Sequence, residues 1–467
     1  MKTLLSKRFL TICLSCLSLT FIAGMCSKEE PEPKPIAYFT YSPTTNLVAP
    51  VAIQFTNGST NATSYKWDFG DGTSSTAINP TKQFTNDGTY TVKLTATGTG
   101  GTNTFTTGIT ITSPISSGIV LPSVDQAVGN FMAKYGVQGV SIALVKDDRL
   151  VYVKGYGLAD KATNTKTRPD HLFRLASISK SITSVAIFKL IEEGKLSLDA
   201  KVFGKNALLG LDYGTQPYGK NVELITVHNL LQHTAGGWNN QQNDPMFFPT
   251  WIEYSQGELV STVLNSRPLI TTPGSVYDYS NFGYLVLGRI VEKVSGKTYR
   301  NYVRETILNP AGISTMDIAG DTEAERIPNE VTYYDAGFSP YAMKVRRMDA
   351  HGGWAASATD LARLLVRVNG FSGKPDLLKA TSISQMTAPS SANTNYGCGW
   401  QVNTSNNWWH TGSLPGTSTI WVRTSTGFGW VVLVNQRSDD TNYFKDLDAL
   451  MWNGIQGISQ WPTQDLF

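Results

Sequence analysis

The spacing of apolar positions divides the chain into an alternating first part and a longer mixed part. After an apolar run at Phe9–Phe21, residues 36–112 follow a period of two, most plainly in Thr89–Thr97 (TYTVKLTAT). Turn signals stand at Asp71-Gly72 and Asp87-Gly88. Short alternating runs without a helical pattern predict an all-β sandwich. From Val124 an amphipathic helix (Val124–Tyr135) leads into two strands, Val140–Lys146 and Leu150–Gly155, joined at Asp147-Asp148. Phe173–Leu190 (FRLASISKSITSVAIFKL) reads as a short loop running into a long helix that stops near Glu193-Gly194. Further helices are predicted at Thr226–Gln232, Gly257–Asn265, Phe282–Val294, Tyr299–Leu308 and Ala358–Val368. Strands return at Tyr396–Val402, Thr417–Thr424 and Gly427–Asn435, before a last helix over Asn442–Gly454.

Composition changes this picture mainly at the N-terminus. The 467 residues are 41% hydrophobic and 16% charged, which suits an ordered protein of more than one domain. Lys2, Lys7 and Arg8 are the only charges in residues 1–25 and account for the whole formal net charge of +3. Nothing therefore suggests nucleic-acid binding. Residues 1–25 read as an export signal, and their apolar run is short for a membrane span. Ile22–Cys26 resembles a bacterial lipobox, which would make Cys26 the lipid-bearing N-terminus. A lipid-anchored protein of the bacterial cell envelope, at the outer membrane, is the expectation. Ser27-Lys28-Glu29-Glu30 reads equally as a surface-export tag or a short acidic linker. Only Cys26 and Cys398 would survive processing, so no structural disulfide is expected. Residues 26–35, which include the stiff EEPEPKP, and the Ser/Pro/Gly-rich residues 113–122 read as linkers. They bound domains at 36–112 and 123–460.

The candidate chemistry begins at Ser177, three residues before Lys180. At that spacing two helical side chains share a face, so the amine can reach the hydroxyl. A serine needs such a base, and burial can depress a lysine enough to serve as one. An isolated Ser-x-x-Lys would more often be a capped helix start. Two later elements change that weighing: Tyr279-Ser280-Asn281 in VYDYSNFGYLVLG, and His410-Thr411-Gly412 in NWWHTGSLPGT. In this order the three resemble the motifs of the serine penicillin-recognising enzymes, in their class C β-lactamase, D-alanyl-D-alanine peptidase and esterase branch. LLQHTAGG at Leu230–Gly237 and HGGWAASATDLARLL at His351–Leu365 support the resemblance, which covers about Val120 to Ile458. Trp67–Gly72 (WDFGDG) with Asp87–Val92 (DGTYTV) resembles a PKD (polycystic kidney disease) domain. Such a domain contacts glycans or proteins, or holds a catalytic domain off a surface. Trp67 is expected in its core.

The resemblance implies a multidomain fold. An immunoglobulin-like sandwich is followed by an α/β domain with an antiparallel sheet, flanking helices and an α-rich lobe. It implies that Ser177 is acylated and that Lys180 shares its proton. Tyr279 acts as general base with Lys180, its phenol lowered by nearby cations, and Asn281 orients Lys180 and substrate. Thr411, Gly412 and Ser413 would line the substrate, with the N–H groups of Ser177 and Ser413 as oxyanion hole. His410 stands where lactamases of this branch carry Lys. Titrating near 6.5, it would read a substrate carboxylate, a task otherwise left to Arg346 or Arg347. His233 is expected to be structural. No cofactor is implied, and no metal-site spacing or Gly-x-Ser-x-Gly elbow occurs. The expected function is a serine hydrolase acting through an acyl-enzyme on a small ester, amide or D-amino-acid peptide. A D-alanyl-D-alanine carboxypeptidase or a β-lactamase is the alternative. Joint retention of Ser177, Lys180, Tyr279, Asn281 and His410 speaks against an inactive surface binding protein.

Overall fold

A computed structural model describes residues 32–111, apart from 45, 46, 48, 50, 86 and 87, and residues 118–467, apart from 242. The export signal, Cys26, the turn residue Asp87 and residues 113–117 of the second linker lie outside the described residues. The chain divides into two compact units, parted between Thr112 and Ser113.

The first unit is a sandwich of two antiparallel sheets. Strands β1 (Phe39–Ser42), β2 (Val51–Asn57), β3 (Ser64–Asp68), β4 (Ser74–Ser75), β5 (Thr81–Phe84), β6 (Gly88–Gly98) and β7 (Gly101–Ile111) follow in order. They form sheets β1-β2-β5 and β4-β3-β6-β7. The two-residue period puts Val92, Leu94 and Ala96 of β6 inside. Trp67 is fully buried among Phe39, Phe55 and Phe69, and its indole N–H donates to the Ala77 carbonyl at 2.9 Å. It is a core residue, as its place on a strand suggests.

The second unit is built on an antiparallel sheet. Helix α1 (Pro122–Tyr135) leads to β8 (Gly139–Lys146), β9 (Arg149–Asp160) and β10 (Thr165–Lys166). A small sheet joins β11 (Phe173–Arg174), β12 (Asp317–Ile318) and β13 (Trp354–Ala356). The C-terminal strands are β14 (Gln401–Val402), β15 (Trp408–Leu414), β16 (Thr417–Arg423) and β17 (Phe428–Val434). The large sheet runs β10-β9-β8-β17-β16-β15-β14, so the C-terminal strands pair with the first ones across a long insertion. That insertion carries helices α2 (Ser179–Glu192), α3 (Val227–Leu231), α4 (Gln256–Ser266), α5 (Asn281–Ser295), α6 (Tyr299–Val303), α7 (Asp349–Gly352), α8 (Ala358–Leu365) and α9 (Ala380–Thr387). Helix α10 (Tyr443–Gln456) closes the domain.

Sheet residues are buried on both faces. Val140, Ile142 and Leu144 of β8 pack with α1 and α10, whereas Ala143 and Val145 face the core of the insertion. Helix α2 is the centre of that core. Every side chain from Ser179 to Leu190 except Lys189 is buried. A helix buried all round needs its polar groups satisfied. Ser181 Oγ donates to the Gly399 carbonyl at 2.5 Å, Ser184 Oγ to the Cys398 carbonyl at 2.6 Å, and Thr183 Oγ1 to the Ala350 carbonyl at 2.5 Å. These bonds explain one departure from the predicted elements. Tyr396–Val402 was expected as a strand, but only Gln401–Val402 pairs with β15. The carbonyls of Cys398 and Gly399 are taken by α2, and Gly399 sits at φ 76°. The predicted helix Tyr299–Leu308 likewise changes to π-helical hydrogen bonding after Val303. Among the described residues no helix is long and apolar enough to cross a membrane.

Candidate active site

Ser177 lies in a 3-10 turn, Ala176–Ile178, that opens α2. Ala176 adopts φ 50°, a left-handed conformation costing a non-glycine residue about 1 kcal/mol. Its surroundings impose it. The Leu175 N–H donates to the Trp354 carbonyl at 2.7 Å, and the Leu175 carbonyl accepts from Thr419 Oγ1 at 2.9 Å. The β15 strand passes so close that a Cβ on Gly412 would meet the Leu175 carbonyl oxygen at 2.1 Å and Thr419 Oγ1 at 2.3 Å. Glycine is required there by space, and Thr411 and Ser413 flank it on the same strand.

Lys180 is fully buried one helical turn on. Its Nζ stands 3.1 Å from Ser177 Oγ, 2.7 Å from Asn281 Oδ1 and 3.0 Å from the His351 carbonyl oxygen. Burial pushes its pKa down to about 7, with Asp244 opposing the shift. The amide oxygen and the carbonyl can only accept. Two N–H bonds directed at them leave the third tetrahedral direction, the lone pair of a neutral amine, for the Ser177 hydroxyl. The arrangement can take the serine's proton.

Tyr279 and Asn281 come from the start of α5. Ser280 is its cap, accepting from the Gly283 N–H at 3.0 Å, which leaves the Asn281 side chain free for Lys180. The Tyr279 phenol is buried beside Ser177, and the Lys180 Nζ sits 4.8 Å over the Tyr279 ring. The expected lowering of this phenol does not occur. Burial raises it well above its usual range, and the nearby Ser177 hydroxyl opposes that rise only in part. The two cations invoked for lowering it are weak ones, because burial moves both Lys180 and His410 toward their neutral forms.

His410 also departs from expectation. The ring is buried, and its pKa is pushed down to about 3 by burial first and by Lys180 second. Its Nδ1 lies 2.6 Å from the Thr411 carbonyl oxygen, so Nδ1 carries the proton and Nε2 accepts from the Tyr396 hydroxyl at 3.0 Å. Tyr396 in turn accepts from His233 Nε2 at 3.2 Å, while His233 Nδ1 accepts from the Ser280 N–H at 3.1 Å. Every donor in this chain is fixed by the backbone group at each end. His410 is thus a neutral ring with both nitrogens committed, not a titrating carboxylate reader. His233 is closer to the chemistry than its motif suggested, with its ring centroid 4.2 Å from that of Tyr279.

Three residues absent from the sequence reading complete the site. Tyr396 joins the two histidines. Asn240 accepts from the Asn281 N–H at 2.8 Å, and its own N–H donates to the Tyr279 carbonyl at 2.9 Å. Asp244 accepts from Asn281 Nδ2 at 2.7 Å. The sequence marks the last two only as part of a polar stretch before α4. Arg347 is buried and donates to the carbonyls of Met246, Trp251 and Tyr254, bracing that loop, and Arg346 pairs with Glu325. Arg174 donates to the Pro340 carbonyl at 2.6 Å. Trp400 and Trp408 are buried, and Trp400 stacks on Trp421 at 4.7 Å, so they fill the core.

Comparisons with known proteins place the chain in a family. Residues 124–450 match the beta-lactamase family and residues 30–113 a PKD domain. The chain belongs to the beta-lactamase family, with a PKD domain preceding the family region. Among curated relatives, Protein flp of Staphylococcus aureus (strain N315) is 25% identical over 68% of this chain and 63% of its own length. A putative D-alanyl-D-alanine carboxypeptidase of Escherichia coli O157:H7 is 27% identical over 57% of this chain and 69% of its own. The chain thus spans under two thirds of the first of these relatives. Among solved structures, the octameric penicillin-binding protein homologue of Pyrococcus abyssi superposes with a TM-score of 0.58 at 26% identity, covering 72% of this chain and 78% of that one. The D-amino acid amidase of Ochrobactrum anthropi SV3 shares the fold, with a TM-score of 0.59 at 23% identity over 72% of this chain and 100% of its own.

Proposed function

We propose that the protein is a serine hydrolase that acts by acyl transfer on a small ester, amide or D-amino-acid peptide. The observation that carries this reading is the buried Lys180 amine, with two acceptor-only partners and the Ser177 hydroxyl as its third neighbour. Ser177 Oγ attacks the acyl carbon as its proton passes to Lys180 Nζ. The neutral Tyr279 phenol, beside Ser177, gives a proton to the leaving group, and the proton on Lys180 replaces it. Water then repeats the sequence on the acyl-enzyme and restores Ser177. The names of the relatives, a D-alanyl-D-alanine carboxypeptidase and a D-amino acid amidase, favour amide and D-configured substrates. A neutral His410 in place of a fixed cation favours these over a β-lactam carboxylate. Anchoring through a lipid on Cys26, with the PKD domain as spacer or as a contact for glycans or proteins, belongs to the same proposal.

The test is a substrate panel of p-nitrophenyl esters, D-amino-acid amides, D-Ala-D-Ala peptides and a chromogenic cephalosporin. It is paired with intact-mass detection of one fluorophosphonate adduct on Ser177. An adduct on Ser179 or Ser181, or unchanged turnover in Ser177→Ala, overturns the assignment.

A further inference from the structure

Asn281 can help Lys180 only if its amide oxygen, not its amide nitrogen, faces the amine. Nothing in Asn281 itself selects that orientation, since both ends of the amide have nearly the same shape. The selection comes from the loop before α4. Asp244 is turned so that its Oδ2 accepts from Asn281 Nδ2 at 2.7 Å and its Oδ1 accepts from the Met246 N–H at 2.9 Å. A carboxylate accepts and cannot donate, so the amide NH2 is drawn to it and the amide oxygen is left pointing at Lys180 Nζ. The opposite orientation would set oxygen against carboxylate and N–H against N–H. Asn240 completes the hold by fixing the backbone of the same motif, through the Asn281 N–H and the Tyr279 carbonyl.

We propose that Asp244 is a positioning residue for acyl transfer: it locks the Asn281 amide so that Lys180 spends its N–H bonds elsewhere and presents its lone pair to Ser177. The proposal rests on the reading of Ser177 as nucleophile and Lys180 as base. Asp244 has a second effect on the same amine, because its charge holds a proton on Lys180 against the pull of burial. The other groups around Lys180 are Ser177, Tyr279, Tyr284, His233, His351 and His410, all of which burial or chemistry keeps neutral. Asp244 itself faces Lys180, Arg267 and Arg347. Burial raises its carboxyl, and the Met246, Asn281, Lys180 and Arg267 contacts oppose that rise.

Asp244 is also the N-cap of the short turn Pro245–Phe247, and that role alone would make it merely structural. Asp244→Asn separates the two, because asparagine caps as well as aspartate but carries no charge and does not define the partner's amide orientation. In the full chain, with a neutral p-nitrophenyl ester, kcat is expected to fall about 10-fold in Asp244→Asn. The acid limb of kcat/KM is expected to move down by about one pH unit, since loss of an opposing charge favours the neutral amine. Thermal stability should change little. If Asp244 acts through Asn281, adding Asp244→Asn to Asn281→Ala should cost no more than Asn281→Ala alone. Asp244→Ser, which also caps but cannot reach, should reproduce the loss if the asparagine variant does not fold. Unchanged kcat and an unmoved limb, or full additivity with Asn281→Ala, overturns the proposal while fluorophosphonate labelling of Ser177 remains. Absence of that labelling in the parent protein overturns the underlying base-and-nucleophile reading instead.

Discussion

Burial acts on the groups around Ser177 in one direction, toward the neutral form of each, and the consequences differ by residue. It brings Lys180 down to about 7, where the amine can both accept and return a proton. It takes His410 to about 3 and Tyr279 far above its usual range, so neither changes charge near neutrality. Activity on a neutral ester needs the unprotonated Lys180, so kcat/KM should fall as pH drops through about 7. A profile flat between pH 5.5 and 8.5 would remove Lys180 from the base role. Ser177→Ala should lower turnover by at least about 10³-fold. For His410 the useful quantity is the ratio of kcat/KM for a carboxylate-bearing substrate to that for a neutral one with the same leaving group. The Lys180 titration common to both cancels, so the ratio should stay flat from about pH 8 to about 5.5. A ratio rising toward low pH would show that the ring gains a proton there and reads the carboxylate after all.

Elements bring these residues together, and here the sequence was informative to different depths. Ser177 and Lys180 are legible because one turn of a helix fixes their relation locally. Tyr279 and Asn281 are legible as a motif at a helix start. Tyr396 is not, because its partner His233 is 163 residues away and nothing local marks the contact. Asp244 meets Asn281 across 37 residues of loop, where no periodicity operates. The strand expected at Tyr396–Val402 failed for a related reason: α2 is polar on faces that turned out to be buried, and its serines capture those carbonyls. The β15 approach to the nucleophile turn was readable only as a glycine in a motif; its demand for space is tertiary. Gly412→Ala should therefore damage activity more than stability. Overpacking costs about 1–3 kcal/mol, whereas the displaced atoms are the Leu175 carbonyl and the turn that carries Ser177. Fluorophosphonate labelling of Ser177 should be nearly lost in a variant that still unfolds cooperatively. Normal labelling would mean that the strand and turn can part without consequence.

At the scale of the whole molecule, the two units have separate cores. In the PKD unit Trp67, Phe39, Phe55 and Phe69 pack with Val92 and Leu94, and the paired strands all lie within residues 39–111. In the second unit α2, α5 and α8 fill one side of the sheet and α1 and α10 the other. All of Ser177, Lys180, Tyr279, Asn281, Asp244, Tyr396 and His410 belong to the second unit. A domain with its own core and its own sheet folds by itself. A chain shortened to begin near Ser117 should therefore fold and hydrolyse a soluble chromogenic ester with kcat within about twofold of the full protein. Two unfolding transitions in the full protein should reduce to one in the shortened form, at the temperature of one of the original pair. If the PKD domain is a spacer or contact module on a lipid-anchored enzyme, its removal should leave soluble turnover intact and depress only activity on substrate displayed at a surface. Cys26→Ser should independently release the protein from the membrane fraction or block its processing, with soluble turnover unaffected. A large fall in kcat for the shortened chain on the soluble ester would overturn the separable-module reading. It would show that the catalytic unit needs the β-domain to hold its site, and the spacer role would then have to be abandoned.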